Sequence, residues 1–173
     1  DAAAPAITIN VSPRQLLDDD LAERVESLMH RCTLDPGRVI LEITEGALIK
    51  DPDAAAAKLL SLSRLGVRLA VDDFGTGYSS LAYLQQFPID MLKIDRSFVN
   101  DMTRPGSSLA EAIVQIAHTL GLVPIAEGVE AQAQADALRD LGCDLAQGFH
   151  LGRPLDAAAT RDLLVRAPRS TAA

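Results

Sequence analysis

The chain has 173 residues, of which 48% are hydrophobic and 23% charged, a balance typical of one globular domain rather than a disordered segment. The formal net charge, 16 − 24 = −8, argues against a large DNA-binding surface. No apolar run approaches the roughly 20 residues that a membrane span needs, so we expect no membrane contact by this segment. An acidic chain can still bind a phosphate substrate where bound cations reverse the local field.

The first residues, 1–5, include no Met and form neither a basic nor an apolar stretch. We therefore expect a segment from inside a longer protein, without a signal peptide, and a cytoplasmic location that leaves a membrane anchor in another domain open. The two cysteines, Cys32 and Cys143, are interpreted as buried thiols of a reducing compartment. Residues 167–173 are predicted to be a frayed tail, which leaves one domain over residues 1–166.

Short β-branched runs alternate with longer helical patterns along the chain. Ser12 and Pro13 are typical of a helix N-cap and first helical position, and Gly66, Gly121 and Gly142 mark helix ends. The predicted strands cover residues 7–11, 39–44, 67–72, 91–95, 122–127 and 144–149.

Six strand–helix units predict an α/β fold with a parallel sheet covered by helices. Two architectures fit this alternation, an open doubly wound sheet and a (β/α)8 TIM-type barrel. A complete barrel takes roughly 250 residues, so six units in 173 residues match a barrel from which two units are absent.

Polar side chains recur near the same end of every predicted strand. In a parallel α/β fold these ends share one rim, where active sites are built. A polar side chain in an apolar strand costs free energy unless it has a partner or a task. The polar residues, in chain order, are Asn10, Glu42, Asp72, Asp73, Lys93, Asp95, Glu127 and Gln147.

This set is typical of divalent-metal chemistry. Asn10, Glu42, Asp72 and Asp73 supply the oxygen ligands that Mg²⁺ and Mn²⁺ prefer. Two such ions about 3.5–4 Å apart can hold the attacking and leaving oxygens of a phosphodiester. Two further residues complete this interpretation, with Glu127 as a general base and Lys93 as a stabiliser of phosphoryl charge.

Structural roles are the alternative for each residue taken singly. Asp72 or Asp73 could be the N-cap of the next helix, and Lys93 could form only a salt bridge with Asp95. Glu42, Glu127 and Gln147 could be structural polar groups. The shared placement on all six strands favours function over separate structural roles.

The loop at residues 73–80 has two glycines directly after a strand. It could be a flexible connection or a phosphate cradle, although its spacing is not that of a P-loop. A mobile lid that contributes Asp73 is the interpretation we favour.

Several short motifs occur in order from about residue 7 to residue 163, and together they resemble the EAL family of cyclic-di-GMP phosphodiesterases. They are Asn10-Val-Ser12, Glu42-Ile-Thr-Glu45, Asp72-Asp-Phe-Gly-Thr-Gly-Tyr-Ser-Ser-Leu81, Lys93-Ile-Asp95, Glu127-Gly-Val-Glu130, and Gln147-Gly-Phe149 through Arg153-Pro154.

The resemblance implies a modified (β/α)8 barrel that hydrolyses cyclic di-GMP to linear pGpG with Mg²⁺ or Mn²⁺. It implies a homodimer that carries other signalling domains. The implied roles are metal binding for Asn10, Glu42, Asp72 and Asp73, general base for Glu127, polar groups around the metals and water for Lys93, Asp95 and Gln147, and anchoring of the 73–80 loop for Glu45.

The Glu-Ala-Leu motif of the family does not occur upstream of Asn10 in this sequence. We therefore expect that the first two strands are missing, and that this chain alone is weakly active or inactive. A non-catalytic receptor for cyclic di-GMP is the alternative function, and a barrel enzyme acting on another substrate is a third. The metal-ligand set favours catalysis, because a receptor has no need of it.

Overall fold

The computed structural model describes residues 5–77, 81–102 and 109–166. The predicted tail at residues 167–173 and the end of the predicted loop, residues 78–80, lie outside these ranges. Within them, no helix is both long enough and apolar enough to cross a membrane.

Strands and helices alternate along the described residues as the sequence predicts. The strands are β1 (Ile7–Val11), β2 (Val39–Thr44), β3 (Arg68–Phe74), β4 (Met91–Ile94), β5 (Val123–Ala126) and β6 (Leu145–Ala146). The helices are α1 (Pro13–Leu16), α2 (Leu21–Cys32), α3 (Glu45–Ile49), α4 (Pro52–Ser63), α5 (Leu81–Leu84), α6 (Arg96–Asp101), α7 (Leu109–Thr119), α8 (Gln132–Asp140) and α9 (Ala157–Arg166), with a 3-10 turn at Pro36–Arg38.

All six strands form one sheet in the order β1-β2-β3-β4-β5-β6, and every neighbouring pair is parallel. The sheet curls into a half-barrel with the helices on its outside. This arrangement confirms the predicted parallel α/β architecture. Since all strands run the same way, their carboxyl ends meet at one rim.

Side chains alternate between the two faces of each strand and build two apolar layers. The outer layer packs against the helices and includes Leu41, Ile43, Leu69, Val71, Leu92 and Ile94, each at most 2% exposed. The inner layer is smaller and lines the hollow of the half-barrel with Ile40, Ala70, Met91 and Ile125. This inner layer lies beneath the polar side chains of the rim.

Three details differ from the sequence-based expectations. β6 covers only two residues, so Gln147 lies beyond the strand rather than within it. β3 continues to Phe74 and therefore includes Asp73. The cysteines are not buried as expected, because Cys32 is exposed on α2 and Cys143 is only partly buried.

β1 is paired on one side only within the described residues. Its side chains Ile7 and Ile9 are 52% and 44% exposed, although both are large and apolar. Ile9 also borders an apolar groove of about 290 Å³ between β1 and α2. An exposed apolar edge of this kind favours pairing with another chain.

We therefore expect this chain to self-associate through β1 and Ile9→Lys to weaken that association, because a charged edge residue opposes strand pairing. Sedimentation velocity over a concentration series measures the effect. Leu60→Lys is the matched control, since Leu60 is also 44% exposed but lies on the surface of α4. A wild-type chain that stays monomeric at every concentration, or equal effects of the two variants, would contradict the expectation.

Candidate active site

The strand register places the polar side chains on the inner face at the carboxyl end of the sheet. Asn10 on β1 is paired with Glu42 on β2, so both face the hollow of the half-barrel. Lys93 follows Met91 on the inner face of β4, and Glu127 follows the inner-face residue Ile125 by two positions. Residues predicted from separate parts of the sequence therefore meet above the inner apolar layer.

Lys93 lies at the centre of this group. Its Nζ donates to Glu42 Oε2 at 2.7 Å, contacts Asp72 Oδ1 at 2.9 Å and contacts Glu127 Oε1. The side chains of Lys93 and Glu42 are only 4% and 5% exposed, and Asp72 and Glu127 are 13% and 21% exposed. One ammonium thus faces three carboxylates, which leaves the cluster with excess negative charge.

The protonation of these groups follows from that imbalance. Burial acts to lower the pKa of Lys93, but hydrogen bonds to Glu127, Glu42 and Asp72 outweigh burial and raise it well above its usual value. Burial raises the pKa of Glu127 despite the opposing effect of Lys93, and the charges of Asp72 and Glu42 add to the rise. Lys93 is therefore a fixed cation, while Glu127 holds a proton more readily than an ordinary glutamate does.

An irregularity in β3 brings two consecutive carboxylates to the same side. Val71 pairs with Leu92 and Phe74 with Ile94, so β3 has one more residue than β4 over this stretch. Val71 and Phe74 both pack in the outer layer, and the extra residue lies between them. Asp73 takes a left-handed backbone conformation with φ 54°. Such a bulge re-aims side chains, and here it turns Asp73 toward the face of Asp72.

Three of the carboxylates can share one cation. Asp72, Asp73 and Glu127 each offer an oxygen, and these oxygens lie within 4.8 Å of one another. Burial raises the pKa of Asp73, and the charges of Asp72 and Asp95 add to it, so a nearby cation would relieve the repulsion. A donor set made only of oxygens fits Mg²⁺ or Mn²⁺ rather than zinc.

Glu45, at the start of α3, contacts the loop after β3. It is 2% exposed, and its Oε2 accepts the backbone N–H of Gly75 at 2.8 Å. Its Oε1 has no hydrogen-bond partner within the described residues and lies against Gly77, where a Cβ would be 2.7 Å away. The described part of the loop, up to residue 77, is thus held by a buried carboxylate.

Two predicted site residues, Asp95 and Gln147, lie outside the group of carboxylates that contact Lys93. The Asp95 side chain accepts the backbone N–H of Ser97 at 2.9 Å and caps α6. It therefore does not form the simple salt bridge with Lys93 that was one alternative. Gln147 is exposed just beyond β6, where its backbone bonds to Ala126 and Val129.

Sequence reasoning included Gly128 and Gly148 in motifs but assigned no role to these two glycines, which join the rim segments. A Cβ on Gly128 would lie 2.4 Å from Arg96 Cβ, and a Cβ on Gly148 would lie 2.2 Å from the backbone of Val129. Only glycine permits these approaches. Each follows a predicted site residue directly, Glu127 or Gln147, and that adjacency was the signal available in the sequence.

We expect Lys93→Met to lower the free energy of unfolding of the metal-free chain by about 3–5 kcal/mol, because it leaves three carboxylates without their cation. Urea denaturation in the presence of EDTA measures this. Lys58→Met is the control, since Lys58 pairs with Asp19, which is fully exposed, and we expect a much smaller change there. Equal losses in the two variants would show that the buried cluster is not held by Lys93.

The raised pKa of Glu127 predicts that the stability of the folded chain depends on pH. Its pKa in the folded chain lies above its ordinary value of 4.5, so the wild type loses stability as the pH rises from 4.5 through the folded pKa. Glu127→Gln cannot ionise and avoids this loss. The unfolding free energy of Glu127→Gln minus that of the wild type should therefore increase from pH 4.5 to the folded pKa of Glu127. Above that pH the difference should stay constant.

Metal-free urea titrations between about pH 4 and pH 8 measure this difference. Asp136→Asn on α8 is the control, because hydrogen bonds from Gln132 and Arg139 lower the pKa of Asp136 from its ordinary value of 3.8, so its difference from wild type should stay nearly constant over this pH range. A wild type that gains stability relative to Glu127→Gln as the pH rises would contradict the burial argument.

Comparison with known proteins finds relatives and solved structures that are similar to this chain over most of its length. The bifunctional diguanylate cyclase/cyclic di-GMP phosphodiesterase MucR of Pseudomonas aeruginosa is 44% identical over 153 residues, 87% of this chain and 22% of MucR. A solved MucR phosphodiesterase in complex with c-di-GMP shares 43% identity at a TM-score of 0.86 and covers 90% of this chain and 64% of the solved one. The EAL domain of Mycobacterium smegmatis DcpA shares 42% identity at a TM-score of 0.88, over 94% of this chain and 75% of the solved one.

The chain spans about a fifth of the length of the first curated relatives it matches. The EAL domain family matches residues 2–154, which is most of the chain. The solved neighbours have the TIM-barrel fold, so the predicted fold class and the family resemblance are both confirmed. The chain belongs to the EAL domain family.

Proposed function

We propose that the protein containing this chain is a metal-dependent phosphodiesterase that hydrolyses cyclic di-GMP to linear pGpG. The main support for this proposal is the carboxylate cluster around Lys93, in which the oxygens of Asp72, Asp73 and Glu127 lie within 4.8 Å of one another. Membership of the EAL domain family supports the substrate, because similar proteins are named as cyclic-di-GMP phosphodiesterases. The rim position of the cluster is where barrel enzymes place their chemistry.

Asp72 and Asp73 would hold a divalent ion, with Asn10 and Glu42 supplying further oxygens from the neighbouring strands, and the nearby Glu127 carboxylate would lie beside that ion. When bound, Mg²⁺ or Mn²⁺ polarises the phosphodiester and makes a water more acidic. The substrate is an anion, and the chain has a formal net charge of −8. Bound cations are therefore needed to make this acidic rim attractive to a phosphate.

Glu127 is the residue best placed to take a proton from the attacking water. Burial raises its pKa toward the range where a general base works at neutral pH. Its contact with Lys93 holds the carboxylate in place. Lys93, permanently charged, contributes positive charge beside the phosphoryl oxygens as negative charge develops on them.

We expect Glu127→Gln to reduce the rate of pGpG formation by roughly 10²–10⁴-fold in the protein that contains this chain, because the general base is lost while the side-chain shape is kept. Chromatography of cyclic di-GMP and pGpG with Mn²⁺ or Mg²⁺ present measures the rate. Nucleotide binding should fall much less than turnover. Glu111→Gln, on the exposed side of α7, is the matched control and should keep the wild-type rate.

Four outcomes would overturn parts of the proposal. Wild-type activity in Glu127→Gln would remove this residue from the mechanism. Activity that persists in EDTA, or tight Zn²⁺ binding without any response to Mn²⁺, would contradict the metal assignment. Nucleotide binding without turnover in the wild type would instead indicate a receptor of cyclic di-GMP.

A further inference from the structure

We propose that the first turn of α6 is a bracket that sets the separation between Asp73 and Glu127, with Phe98 as its positioning residue. The bracket is defined by Arg96 and Phe98, which contact the two rim segments that follow β3 and β5. Neither residue belongs to the carboxylate cluster. The inference rests on the proposed function, because it concerns how this chain aligns carboxylates for a divalent ion.

One arm of the bracket is the ring of Phe98 against Gly75. Gly75 follows Asp73 by two residues and has φ 91°, and a Cβ there would be 2.9 Å from Phe98 Cε2 and 3.1 Å from Cζ. The ring therefore lies directly on the backbone of the loop. Since the ring is half-buried and lies against this backbone, it limits how far the loop can move toward α6.

Glu45 holds the same loop segment through a different element, α3. Its Oε2 accepts the N–H of Gly75 at 2.8 Å, and its Oε1 lies against Gly77. The carboxylate fixes the loop by a hydrogen bond, and the Phe98 ring fixes it by contact. Removing the ring would leave the loop attached to Glu45 and beside Ile113 Cδ1, which a Cβ on Gly75 would meet at 3.4 Å, but free to shift into the space that the ring vacates.

The other arm of the bracket is Arg96 against Gly128. A Cβ on Gly128 would be 2.4 Å from Arg96 Cβ and 3.4 Å from Arg96 Cα, so the two backbones approach closely. Gly128 directly follows Glu127. A displacement of α6 would therefore move the segment that carries the proposed general base.

The sheet order explains why one helix can reach both segments. β4 lies between β3 and β5, and α6 follows β4 directly. Asp95 caps the helix through the N–H of Ser97, and Val99, which is 0% exposed, anchors it in the outer core. The first turn of α6 thus keeps Asp73, on β3, at a fixed distance from Glu127, which follows β5.

The test compares Phe98→Ala with Val99→Ala in Mn²⁺ binding by calorimetry on this chain. Both changes remove apolar contacts of α6 and should lower the melting temperature. Only Phe98→Ala should weaken Mn²⁺ binding, by about 10–100-fold, the usual effect of losing a residue that orients metal ligands. Phe98→Leu, which keeps apolar bulk beside Gly75, should restore most of the affinity.

A second measurement needs no metal. Hydrogen exchange of the metal-free chain should be faster at the Gly75 amide and in the 127–129 segment in Phe98→Ala than in Val99→Ala. Unchanged Mn²⁺ affinity and unchanged exchange in a folded Phe98→Ala variant would overturn the bracket, as would equal effects of both substitutions. If the wild-type chain binds no Mn²⁺, the metal part of the inference fails for this chain, the activity assay on the containing protein tests the proposed function separately, and the exchange pattern still decides whether Phe98 positions the loop.

Discussion

The site depends on one buried interaction, the Lys93 ammonium surrounded by Glu42, Asp72 and Glu127. Carboxylates above an apolar layer would be too costly to ionise without a cation, because they have lost most of their water. A single lysine offsets only part of this charge, which leaves a preformed site that favours further cations. The curvature of the sheet makes this arrangement possible by directing residues of β2, β3 and β4, and of the segment directly after β5, into one hollow.

The second constraint is the extra residue in β3. A regular strand would place Asp72 and Asp73 on opposite faces, with one of them in the outer core. The bulge and the left-handed conformation of Asp73 place both on the site, at a backbone cost of order 1–3 kcal/mol. The contacts of Glu45 and Phe98 with the following loop stabilise that conformation.

Unfavourable features gather at the carboxyl end of the sheet, whereas the outer core is regularly packed. Glu127 and Asp73 have raised pKa values, and Glu45 Oε1 lacks a partner within the described residues. Leu69, Val71 and Leu92, in contrast, are each 0% exposed beneath the helices. The apolar layer between sheet and helices therefore supplies the stability that a strained, charged rim requires.

The alternation of strands and helices, the parallel sheet and the polar residues at the strand ends could be predicted from the sequence, because they follow from local periodicity and strand direction. The sequence also contained the ordered motifs of the EAL domain family. The choice of Glu42, Asp72 and Glu127 over Asp95 as partners of Lys93 was decided by tertiary structure. The bulge at Asp73 and the contact between Phe98 and Gly75 were also set by the tertiary structure. These depend on register and on packing between distant segments, which no local pattern encodes.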